Sequence, residues 1–143
     1  MSQSALDRYA RLFASLTPDT LDALCEQVTE EIHFRDPFND IHGRDAFRHL
    51  LQDMFARSAC PSFTVVEACW HDTSDIGWLR WRFNAELPVI GRLSVEGCSR
   101  ILLDEAGRVR AHLDYWDSAP VYLQLPLIGS VLRRIQRRVS SQT

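Results

Sequence analysis

The sequence predicts an α+β fold in which three N-terminal helices pack in a strongly curved antiparallel sheet, with a further helix at the C-terminal end. Two observations lead there. Apolar residues recur at helical spacing through most of the first 58 residues, and from residue 62 the period changes to the alternation of strands joined by short connections. A bent sheet closed by helices leaves a conical hollow suited to a ligand.

In "SALDRYARLFASL", Ala5, Leu6, Tyr9, Ala10, Phe13 and Leu16 form one stripe, and Ser4 can cap it. "TPDTLDALCEQV" predicts a second helix over residues 17–28, capped by Thr17, with Pro18 where a missing N–H costs nothing and Leu21, Leu24 and Val28 buried. "EEIHFRDPF" reads as a short extended stretch closed at Asp36-Pro37, because the residue before proline is pushed away from helical geometry. The third helix, "GRDAFRHLLQDMFARS", carries Ala46, Phe47, Leu50, Leu51, Met54 and Phe55 on its apolar side. Four β-like runs follow, "SFTVVEACWHD", "IGWLRWRFNAEL", "RLSVEGCSRILLD" and "RVRAHLDYWD", and their short breaks imply an antiparallel meander. Nothing marks a linker or repeat, so residues 1–143 are expected to form one domain, with 120–143 as a basic amphipathic tail.

Composition narrows the function classes. A chain of 143 residues with 45% hydrophobic content can bury a core without metals or staples. The net charge of −3 and the absence of a basic, aromatic-rich stripe argue against nucleic acid as a partner. All 16 basic residues are arginine, which removes Schiff-base chemistry and a lysine-bearing phosphate loop. Cys25, Cys60, Cys69 and Cys98 are irregularly spaced, which fits neither a disulfide framework nor a zinc site. His33, His42, His49 and His71 show no metal-ligand spacing, so no metal and no cofactor are expected. Without a signal-like or membrane-spanning run, the expected compartment is the cytoplasm.

Strand parity divides the polar and apolar residues. Trp78, Arg80, Arg82 and Asn84 share one face of their run, against Leu79, Trp81, Phe83, Ala85 and Leu87. On the last strand Arg108, Arg110, His112, Asp114 and Trp116 oppose Val109, Ala111, Leu113 and Tyr115. Two readings of the polar faces stand. They are solvent-exposed, with Arg80 and Asp114 a weak surface pair. Or they line the hollow, and a second subunit then covers the opposite apolar faces, which predicts a homodimer through the sheet.

In the tail, Ile128, Val131, Leu132, Ile135 and Val139 form an apolar stripe opposed by Arg133, Arg134, Arg137 and Arg138. Such a helix can lie on an anionic bilayer or dock on its own domain or on a second subunit.

This order of elements resembles the nuclear-transport-factor-2-like superfamily, which includes ketosteroid isomerases, SnoaL-like polyketide cyclases, scytalone dehydratases and limonene-1,2-epoxide hydrolases. "HGRDAF" is similar to a superfamily entry into the third helix, "RVRAHLDYWD" to the last strand of the epoxide hydrolases and SnoaL-like cyclases, and "LQLPLIG" to the epoxide hydrolase close. Against the epoxide hydrolases, the resemblance places Asp114 on the water-activating aspartate and Arg80 on the arginine of the proton network. Arg82 stands where the second, proton-donating aspartate is expected, and a guanidinium cannot donate a proton near neutral pH. Asp36 or His112 would have to substitute.

Against the ketosteroid isomerases, "FRDPF" places Asp36 on the proton-shuttling aspartate and "DRYA" places Tyr9 on the oxyanion-binding phenol. Ser99 stands at their protonated aspartic acid, and its hydroxyl is a weaker donor. From the residues alone, Asp36 also reads as a turn residue and Tyr9 as core.

The resemblance thus implies a small lipophilic ligand of steroid, terpenoid, polyketide or acyl type and cofactor-free proton transfer by Asp114 with Arg80, His112, Asp36 and Tyr9. Expected to line the hollow are Phe13, Phe34, Phe55, Trp78 and Arg82, with Val95, Gly97, Ser99 and Trp116. The alternative is a non-catalytic ligand-binding or membrane-peripheral module of the same fold.

Overall fold

A computed structural model of the chain describes residues 2–141. Helix α1 (Ser2–Ala14) buries Leu6, Tyr9 and Phe13, the stripe its sequence spacing dictates. A single 3-10 turn (Pro18–Thr20) leads into a short α2 (Leu21–Cys25), followed by β1 (Val28–Arg35), β2 (Asp40–His42) and α3 (Arg44–Arg57). The long strands β3 (Ala59–His71), β4 (Ile76–Leu87), β5 (Gly91–Leu103) and β6 (Val109–Trp116) come next, then α4 (Ala119–Leu123) and α5 (Ile128–Val139).

The predicted second helix is cut short at Cys25. Val28, expected on its stripe, instead begins β1, where it is fully buried and pairs with Val109 of β6. Sheet pairing at a buried position outweighs weak local helix propensity there. The stretch closed at Asp36-Pro37 is a full strand that hairpins into the unforeseen β2, with His33 opposite His42 and Arg35 opposite Asp40.

Six strands form one sheet in the order β2-β1-β6-β5-β4-β3. The β3 to β6 meander is antiparallel as expected, but β1 runs parallel to β6, which inserts between β1 and β5. Irregular pairing near Val65/Glu67 and Ala59/Ser62 interrupts β3, and such irregularities bend a sheet. Helices α1 and α3 lie across the inner face, and one core joins Leu6, Leu24, Ile32, Phe47, Leu79 and Ile101.

Parity holds on β4, yet the faces are reversed from the expected arrangement. Leu79, Trp81 and Ala85 point inward and are buried, while Trp78, Arg80, Arg82 and Asn84 lie on the exposed outer face. The chain's own helices therefore cover the apolar face, and a second subunit is not needed to do so.

The β4-β5-β6 rung through Trp81, Gly97 and Trp116 explains one glycine. A Cβ at Gly97 would stand 2.6 Å from Trp81 Cη2 and 2.8 Å from Trp116 Cβ, so both indoles rely on its absence. Gly97→Ala is expected to lower stability by about 1–3 kcal/mol through overpacking, read as a fall in Tm of several degrees by calorimetry. Ser94→Ala, on the exposed outer face of the same strand, should leave Tm unchanged.

Candidate functional site

Between the inner face of the sheet and α3 lies a cavity of about 490 Å³, within the range of small-molecule sites. Its wall is largely aromatic and aliphatic, with Phe13 and Phe34 beside the strand residues Leu79, Trp81, Phe83 and Val95. The open end is marked by the exposed lining residues Phe38, Asn39, His49 and Arg57. Half-buried Asp36, Asp53 and Ser58 also line it, and on β5 and β6 the polar lining groups are Ser99, His112 and Asp114.

These three belong to one hydrogen-bonded chain. Register sets Ser99 opposite Leu79 on β4 and opposite Asp114 on β6. Trp81 Nε1–H donates to Ser99 Oγ at 2.8 Å, and the Ser99 hydroxyl in turn donates a hydrogen bond to Asp114 Oδ1 at 2.5 Å. His112 Nε2 lies 2.7 Å from the same oxygen, and its Nδ1 lies 2.8 Å from the Tyr9 hydroxyl. A carboxylate oxygen only accepts, so Nε2–H is the donor of this bond.

Tyr9 is 1% exposed. Burial, reinforced by the Asp114 and Cys25 charges, pushes its phenol well above the usual tyrosine value. It therefore stays protonated and donates to Nδ1, so His112 turns its Nε2–H toward Asp114.

Both bonds to Asp114 fall on Oδ1. Among the described residues Oδ2 has no partner, nor is it among the fully buried unpaired atoms, so it is the carboxylate oxygen open to a molecule in the cavity. An oxygen held by two donors beside a free one is the arrangement of an oriented general base.

The sequence-predicted residues divide clearly. Asp114, His112, Ser99 and Trp116 line the cavity with Val95, Phe13 and Phe34, whereas Gly97, also expected there, does not line it and instead makes room for the Trp81 and Trp116 indoles. Asp36 also lines it, but its Oδ1 accepts the backbone N–H groups of Phe38 at 2.8 Å and Asn39 at 2.7 Å, the turn role its place before proline allows. Tyr9 sits behind the wall, and its hydroxyl meets His112 Nδ1 rather than the cavity.

Four further expectations are overturned. Arg80 does not reach Asp114: it lies outside the sheet, 3.3 Å from Glu67 and 3.5 Å from Glu96. Arg82 is also outside, 2.7 Å from Glu96, and its hydrogen bond holds the exposed Glu96 carboxyl below its usual range. Trp78 is on that outer face, 39% exposed. Phe55 packs against the core without lining the cavity. Missed from sequence were Leu79, Trp81 and Phe83, whose signal was the apolar parity of β4 itself, and Met54 and Leu50 on the α3 stripe.

His33, Asp40 and His42 form the group of potential metal donors among the described residues, their ligand atoms within 4.8 Å of one another across the β1-β2 hairpin. Sequence spacing hid it because strand pairing brings the donors together. A 2.7 Å contact between His33 and Asp40 and parallel imidazoles 4.3 Å apart account for the grouping without an ion. It lies outside the cavity lining.

The SnoaL-like domain family matches residues 9–112, and the chain belongs to that family. It shares its fold with solved structures at low identity. A protein with a ketosteroid isomerase-like fold from Catenulispora acidiphila, in complex with trimethylamine, is 13% identical, with a TM-score of 0.70 over 85% of this chain and 93% of that one. An epoxide hydrolase/cyclase-like enzyme of pyran ring formation in the polyether salinomycin is 16% identical, with a TM-score of 0.68 over 81% and 90%. A limonene-epoxide-hydrolase-like enzyme of M. tuberculosis is 15% identical, with a TM-score of 0.67 over 94% and 96%. No curated protein matches the sequence.

Tyr9→Phe leaves His112 Nδ1 buried without its donor and should cost about 1–3 kcal/mol in denaturant unfolding. Because the folded phenol titrates above its unfolded value, its contribution is complete below about pH 10 and is lost as pH rises toward the raised value. The alkaline loss of stability should accordingly be shallower in Tyr9→Phe than in the native chain.

Proposed function

We propose that this chain binds a small lipophilic molecule, of steroid, terpenoid, polyketide or acyl type, in the apolar cone, and that Asp114 moves a proton on it without a cofactor. The observation that carries this reading is the Asp114 carboxylate in an apolar cavity, with Oδ1 fixed by Ser99 and His112 and Oδ2 free. A ligand-binding or isomerase-type role fits a family fold shared with cyclases and epoxide hydrolases. In the reaction, Oδ2 takes a proton from water or from a carbon beside a carbonyl. His112 and Ser99 stabilise the carboxylate while it is the base and keep it aimed.

A specific observation favours a narrower chemistry than epoxide hydrolysis. The protons of Ser99 and His112 are both directed at Asp114, Asp36 is occupied by its turn, and Arg82 is outside. The remaining lining carboxylate, Asp53, stands half-exposed beside His49 and Arg57, so an oxyanion forming on the ligand finds its donors at the rim, in Asn39, His49 or Arg57. Proton abstraction and return by one carboxylate needs the fewest partners. If turnover is absent altogether, the same cone serves as a non-catalytic binding module.

The reading includes a homodimer through the outer sheet face, where Val66, Trp78 and Tyr115 are exposed. Light scattering should report twice the chain mass, and Trp78→Glu should return the monomer.

The chemical test presents a Δ5-3-ketosteroid and limonene-1,2-epoxide to the purified protein. Turnover of either is expected to fall about 10²–10⁴-fold in Asp114→Asn while ligand retention, followed by native mass spectrometry, persists. Arg80→Ala should leave both unchanged. Loss of turnover in Arg80→Ala but not in Asp114→Asn would reject the assignment of the base.

A further inference from the structure

The last helix, α5, is out of place on a globular surface. Its principal neighbour is the short α4, against which Gly129 packs so closely that a Cβ would fall 2.3 Å from Leu123 O. Arg133 donates to the same carbonyl, and Leu132 covers the α4 side. The rest of the apolar stripe is uncovered: Ile128 is 58%, Val131 59%, Ile135 53% and Val139 81% exposed, with Leu127 just before the helix at 87%. These positions are three or four residues apart and share one face.

Charge says what covers it. Residues 118–141 contain four arginines and no acid, whereas residues 1–117 hold the other 12 arginines and all 19 acids, a balance of 12 − 19 = −7. The arginines Arg133, Arg134, Arg137 and Arg138 occupy the side of the helix away from the stripe and its borders. An aliphatic stripe whose charged neighbours on the helix are all arginines fits an interface of acyl chains and anionic headgroups, because guanidinium groups reach lipid phosphates while their stems stay in the apolar layer. At 12 residues α5 is about 18 Å long, and no helix among the described residues is long and apolar enough to cross a membrane. It can lie in the surface plane.

We propose that α5 docks the protein peripherally on an anionic bilayer. The acidic body is repelled by the same surface that attracts the tail, which leaves α5 as the contact.

Docking also orients the cavity, and this step rests on the lipophilic-ligand reading above. Helix α4 borders the open end: Val121 lines the cavity, and the Tyr122 ring lies 6.1 Å from Phe38, itself 5.6 Å from Trp116. A helix attached to α4 and seated in the interface brings that opening to the lipid, where an apolar ligand is concentrated.

The experiment is co-sedimentation of the full chain with phosphatidylcholine vesicles containing about 30% phosphatidylglycerol, compared with phosphatidylcholine alone. Binding to the anionic vesicles only is expected, weakened at least about tenfold in about 0.5 M sodium chloride. Val131→Glu with Ile135→Glu should abolish it, and Arg137→Ala with Arg138→Ala should weaken it roughly tenfold. All four positions are exposed, so circular dichroism should stay native. Equal binding to neutral vesicles, or no binding, overturns the proposal. So does a change of oligomeric state on the double glutamate substitution without vesicle binding, which would make the stripe a subunit interface. Asp114→Asn should bind vesicles as the native chain does, so failure of the catalytic reading leaves this result untouched, and the reverse.

Discussion

A carboxylate set into an apolar wall must be met by donors from the protein, since an unpaired buried charge is among the most destabilising features a fold can carry. Asp114 is that carboxylate, and the sheet around it is registered to supply the donors. Ser99 lies directly across from it, Trp81 one strand further supplies the proton that frees the Ser99 hydroxyl, and His112 is two residues away on the same face. Tyr9 closes the chain from α1, which ties the first helix to the last strand by a buried hydrogen bond. A slip of one residue in β5 or β6 would turn these groups to the wrong face of the sheet. The polar chain thus specifies both register and helix docking, where an entirely apolar wall would tolerate several.

The same network limits the chemistry. Its two donors, Ser99 and His112, are both committed to the Oδ1 of Asp114 and are not left to meet a ligand. The arginines that a family resemblance would place beside it spend their charge on Glu67 and Glu96, outside the sheet. Selectivity in such a site comes from the shape of the apolar wall, with Gly97 setting how deep the two indoles can sit.

Much of this was legible in the sequence. The helical stripes of α1 and α3, the meander and the shared face of His112, Asp114 and Trp116 all follow from periodicity, while their inward direction came from the family resemblance. What parity cannot supply is which face of a two-faced strand is covered. On β4 the pairing expected between Arg80 and Asp114 was outweighed by the burial of Leu79 and Trp81 beneath α1 and the core. The Tyr9 stripe position was visible, but its partner was not, because the two residues are 103 apart in the chain. The β1-β2 hairpin escaped for a related reason: its three-residue second strand is too short for an alternation to register.

The insertion of β6 between β1 and β5 has a consequence for biosynthesis. The parallel β1-β6 pair joins residues about eighty positions apart, and contacts of such separation form late and slowly. A ribosome that has released β1 through β5 has produced a sheet with a gap in its middle and an uncovered apolar face, the kind of species on which chaperones act. Only emergence of residues 109–116 fills the gap, and these residues carry both His112 and Asp114. Completion of the sheet and assembly of the proton network are therefore a single event, and a chain stalled before it would hold neither.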